Sequence, residues 1–164
     1  MIDDSKIIAD ALVQIKRHLP RGDDLTLIVL KGHLLVEEQI NGLIGDNVID
    51  EKPLERARLT FAQRIALVRA LVPPSRVSSL KLDATEKLNS LRNELAHNLS
   101  SEKIEKKVIR FLESIEDSDV KELPFRRHTP ERLRFGIVTL CATLTGQRVA
   151  ALTEAGASAE PNNA

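Results

Sequence analysis

The segment Leu91-Arg92-Asn93-Glu94-Leu95-Ala96-His97-Asn98 brings an arginine, a carboxamide and an imidazole within about two helical turns. Asn89, Asn93 and His97 recur at i, i+4 spacing, so on a helix they share one polar stripe. Leu88, Leu91 and Leu95 fall on a neighbouring apolar face. Arg92 lies about 140° from His97 on the helical wheel, yet its long side chain can bend toward the stripe, and a second copy of the helix could supply its partner. The chemistry open to these groups is that of phosphate esters. Imidazole changes charge near neutral pH and can exchange a proton with a ribose 2′-hydroxyl or a leaving oxygen. Guanidinium holds a phosphate through two parallel hydrogen bonds and stabilises charge that develops there. Asn93 can orient His97 or touch phosphate.

A structural alternative accounts for the same residues. His97 can end its helix, where a cation favours the dipole, with Asn98 as C-cap and Arg92 paired to Asp83, Glu86 or Glu94. His33 and Glu37, also i, i+4, form either a supporting wall of the same cleft or a surface contact worth a few tenths of a kcal/mol. Arg126, Arg127, His128, Arg132 and Arg134 form the dense basic cluster of the chain. It is either a grip on a nucleic-acid backbone, with Arg126, Arg127, Arg132 and Asn89 as substrate-binding residues, or a solvated helix start. Apart from Phe125 and Phe135 no aromatic lies near enough to stack a base, which argues against sequence-specific reading of single strands. The histidines and Cys141 are not spaced as a zinc site, so no metal or other cofactor is expected.

Arg92-Asn93-Glu94-Leu95-Ala96-His97, an arginine and a histidine with four residues between them, resembles the motif of HEPN-type ribonucleases. The resemblance extends over residues 5–115 through helix order and the amphipathic stretch Leu27 to Ile44. It implies a compact helical domain in which two motifs of a homodimer meet in one cleft and cleave RNA without metal. Arg92, Asn93 and His97 would be the catalytic residues, and attack by the 2′-hydroxyl would leave a cyclic phosphate. It also implies a toxin or a defence or stress effector, with RNA as substrate and a cognate antitoxin or regulatory protein as partner. Some HEPN-like domains bind RNA, nucleotides or proteins without cleavage. Toxins silenced by a nucleotidyltransferase antitoxin carry a Tyr shortly after the histidine; here Leu99 stands two residues beyond His97 and the chain has no Tyr, so that mode of silencing does not fit.

The elements that would position these residues are helices. Ile7, Ile8, Ala11, Leu12 and Ile15 give the helical period from Asp3 to His18, and Pro20-Arg21-Gly22 stops it. Asp23 or Asp24 caps a second helix reaching about Ile44, weakened locally by Gly32 and Gly42. Gly45 to Leu59 reads as a connector, and Thr60 caps a third helix that ends at Leu71 before Pro73-Pro74. The motif helix is expected from near Asp83 to His97, and the next from Ile104 to Ile115, capped by Ser100 or Ser101. Thr129-Pro130 suits the start of a last helix to about Leu152. Its middle is apolar nearly all round, as in a central core helix or a face awaiting a partner subunit.

The expected architecture is therefore all-α: a bundle of five to six helices in one domain, residues 1–152, followed by an unfolded tail, residues 153–164. Composition agrees. With 42% hydrophobic residues but only four Phe and neither Trp nor Tyr, the core must be aliphatic. Twenty-four basic and 24 acidic residues cancel, so no global field draws the chain to nucleic acid or membrane. Cys141 sits in an apolar run and is expected as a buried thiol. The acidic start Met1-Ile2-Asp3-Asp4 lacks the order of a signal peptide, and the uncharged run Phe135 to Gln147 is too short to span a bilayer. A cytoplasmic protein that does not enter membranes is the expectation.

Overall fold

The structure, a computed structural model, describes residues 4–97, 101–115 and 125–158. Among them it is all-helical, with seven helices: α1 (Asp4–His18), α2 (Leu25–Gly45), α3 (Lys52–Arg56), α4 (Phe61–Leu71), α5 (Ser79–His97), α6 (Ser101–Glu113) and α7 (Phe125–Ser158). No helix among the described residues is long and apolar enough to cross a membrane.

Local chemistry sets the boundaries of α2 and α4. The Asp24 carboxylate accepts the Leu27 N–H at 3.0 Å and caps α2. Thr60 and Gln63 form a reciprocal capping box at the start of α4, each side chain accepting the other's backbone N–H. The expected connector contains α3, a single turn of five residues with no buried side chain. With only Leu54 packed against the core, α3 has no apolar period to betray it.

Two other boundaries differ from expectation. The motif helix begins at Ser79 rather than near Asp83, because Leu82 already belongs to the core and the Ser78 hydroxyl accepts the Leu80 N–H at 3.3 Å. The last helix begins at Phe125 and runs to Ser158, past the expected end at Leu152 and into the segment expected to be an unfolded tail. Pro130 lies inside this helix; it removes one backbone bond to the preceding turn, and the helix continues through it.

The bundle is organised around α7, which packs on α2 and α1 and more lightly on α5 and α6. On its other sides α2 meets α4 and α5, and α5 meets α6. One aliphatic core results, with Ile28, Ile40, Ile65, Leu88, Leu91, Phe111, Leu133, Ile137, Leu140 and Leu144 sealed from solvent. Of the two readings of the last helix, the central core helix is the one observed. Among its described side chains, the large exposed apolar one is Phe135.

Glycines on α2 permit this close packing. A Cβ at Gly32 would lie 2.4 Å from Ile137 Cδ1, and one at Gly42 would lie 2.1 Å from the Arg148 guanidinium. Arg148 crosses α2 at that point to bond both carboxylate oxygens of Asp46, at 2.7 and 3.2 Å. Residues that weaken α2 as an isolated helix thus admit α7 against it.

Candidate functional site

Helix α5 has an inner and an outer side. Leu88 and Leu91 are fully buried, and sealing each contributes about 1.5–3 kcal/mol to the packing that fixes the helix. Arg92 is half-buried, whereas Asn93 and His97 are exposed, His97 as the last residue of the helix. Arg92 Nη1 donates to Asn93 Oδ1 at 3.2 Å. Asn93 therefore engages the guanidinium of its neighbour.

The expected stripe of Asn89, Asn93 and His97 is divided. Asn89 is half-buried and faces α2, where its Oδ1 lies 3.1 Å from His33 Nε2. With the proton on Nε2, the imidazole donates to the carboxamide across the α2–α5 interface. This places Asn89 beneath the surface, not among solvent-facing substrate ligands.

His33 is not the surface residue that its pairing with Glu37 suggested; it is 6% exposed. Its face of α2 also carries the fully buried Val29, Val36 and Ile40, and its ring centroid lies 4.4 Å from that of Phe61 on α4, tilted by 55°. Nδ1 is 4.0 Å from a Glu37 oxygen, beyond hydrogen-bond range. Burial pushes the imidazole below its ordinary value of 6.5, and the Arg92 charge lowers it further, against the Asn89 hydrogen bond and the Glu37 charge.

The carboxylates that the sequence offered to Arg92 are engaged elsewhere. Arg69 of α4 bonds Asp83 at 2.7 Å and Glu86 at 3.2 Å. Lys107 of α6 pairs with Glu94 at 2.8 Å and donates to the Ser90 carbonyl at 3.2 Å. These bonds join α4 and α6 to the motif helix on its two flanks. They had no short-range signature, since each spans 13 to 17 positions of sequence.

Within the basic cluster, only the side chains of Arg132 and Arg134 are among those described. The side chains of Arg126, Arg127 and His128 lie outside the described residues, and Arg132 is half-buried. Arg134 turns inward to the α1–α2 junction: it donates to the Pro20 and Gly22 carbonyls at 3.3 and 2.8 Å and lies 3.5 Å from Asp23. Its observed contacts close a turn. Cys141 is fully buried as expected, its thiol pushed up to about 12 by desolvation and then by Glu38.

Among the described residues no group of three or more His, Cys, Asp or Glu is arranged to hold a metal ion. The grooves at Asn41–Arg64, Lys16–Phe135 and Asp46–Arg148 are lined by residues outside the motif. Arg92, half-buried, and Asn93 and His97, exposed, lie on the outer side of α5, away from these grooves. No protein-family model, curated protein or solved structure matches the chain.

Proposed function

We propose that the chain is a HEPN-like, metal-independent endoribonuclease that acts as a homodimer, of the kind that serves as a toxin or a defence or stress effector. The observation that carries this reading is the division of α5. Leu82, Leu88 and Leu91 are sealed in the core, while Arg92, Asn93 and His97 occupy the outer edge and the neighbouring carboxylates are bound by Arg69 and Lys107. A guanidinium held by a neutral carboxamide retains its full charge for a phosphate.

In this reading Arg92 binds the scissile phosphate and stabilises the charge on its oxygens, and His97 moves the proton of the ribose hydroxyl or of the leaving oxygen. The 2′-hydroxyl attacks phosphorus, the bond to the 5′ oxygen breaks, and a 2′,3′-cyclic phosphate remains. In this reading a second copy supplies the opposing motif. A cognate antitoxin or regulatory protein would control the activity by covering that edge.

The exposed position of His97 at the last residue of α5 favours a second reading: a non-catalytic RNA- or protein-binding module in which His97 serves the helix terminus. One experiment separates the two. Purified protein, Arg92→Ala and His97→Ala are incubated with RNA in EDTA. The nuclease reading requires cleavage by the native chain, carrying a cyclic phosphate end, and a loss of about 100-fold or more in each variant. Cleavage that persists in both variants, or is absent from all three proteins, overturns it.

A further inference from the structure

An imidazole is an expensive choice at position 33. The neighbouring inward positions of α2 are Val29, Val36 and Ile40, all fully buried, and an aliphatic side chain there would need no polar partner. The buried imidazole is instead satisfied by Asn89 from another helix, 56 positions away. Asn89 lies one helical turn before Arg92, so the bond fixes α5 at the turn from which the guanidinium emerges. Phe61, His33 and Asn89 are joined in the interior by ring contact and hydrogen bond, and three residues beyond Asn89 on the same helix Arg92 bonds Asn93. The charged groups facing the imidazole are Glu37 on its own helix and Arg92 on α5; α4 contributes the apolar Phe61 ring and α7 packs Ile137 against the adjacent Gly32.

We propose that His33 and Asn89 are positioning residues for Arg92, fixing α5 one turn before the guanidinium leaves the helix. For its consequence in RNA cleavage this rests on the nuclease reading; the positional coupling itself does not. Neither residue touches substrate. A neutral imidazole leaves Arg92 as the sole cation at this junction, and protonation sets a second positive charge against it.

The test follows the Arg92 side-chain Nε–Hε resonance of the full chain by NMR through an acid titration, with Arg92→Lys used to assign the signal. In the native chain the resonance moves with the same midpoint as the His33 ring signals. In His33→Gln, which can still bond Asn89 but cannot titrate, it keeps its native position and stops responding to that midpoint. In Asn89→Ala it moves to the position of solvent-exposed arginines. On RNA, Asn89→Ala lowers kcat by about tenfold or more with little change in KM.

An Arg92 resonance indifferent to the native His33 titration overturns the proposal even if every variant fails to fold, as does one unchanged in folded Asn89→Ala. The two readings fail separately. Native RNA cleavage with an indifferent Arg92 resonance removes the positioning role and leaves the nuclease. A responsive resonance without RNA cleavage preserves the coupling and removes the nuclease.

Discussion

His33 Nε2 and Asn89 Oδ1, 3.1 Å apart, form the polar contact that joins the interior of α2 to the motif helix α5. An imidazole held there is disfavoured in its charged form, since burial removes the water that would solvate it.

This makes folding stability depend on pH through His33. Its folded value lies below 6.5, so as acid is added the unfolded chain takes up the proton first. The contribution of His33 is therefore fully present above 6.5, is lost as pH falls from 6.5 toward the folded value, and is not lost further below that value. Urea unfolding of the native chain across this window will show a steeper acid loss than His33→Gln. Equal slopes would mean that His33 is charged in the fold.

Gly32 offers a sharper test of the α2–α7 contact. On helix propensity alone, Gly32→Ala would stabilise α2 by about 0.5–1 kcal/mol. Because the new methyl would meet Cδ1 of the fully buried Ile137, we expect a net destabilisation of about 1–3 kcal/mol in urea melts. Adding Ile137→Val, which removes Cδ1, should recover much of the loss. A more stable Gly32→Ala protein would show that α7 does not approach α2 this closely.

Cys141 reports on the same core. Its thiol is sealed and pushed up to about 12, so the native chain should resist a thiol-selective reagent such as DTNB and react only as urea unfolds it. Rapid labelling in native buffer would contradict the packing of α7.

Much of the fold was legible because helical periodicity and capping are local. Asp24 and Thr60 mark the helix starts they were expected to mark, and Leu88, Leu91 and Leu95 of α5 face inward as their spacing requires. Leu82 and Ser78, however, extend α5 by a turn that the sequence shows only weakly, and α7 continues through Pro130 where a proline suggested a start. For α5, burial of Leu82 against other helices outweighed the weak local signal.

The sequence by itself determined that this is a helical chain with an aliphatic core, and that Arg92, Asn93 and His97 share a helix whose apolar face lies elsewhere. Only the tertiary structure decided what surrounds them. It drew Asn89 out of the polar stripe and onto His33, took Asp83, Glu86 and Glu94 for Arg69 and Lys107, and turned Arg134 to the α1–α2 junction. Which side of a helix is apolar follows from residues three or four apart, whereas the neighbour that meets the opposite side comes from tens of positions away and is fixed only when all the helices pack at once.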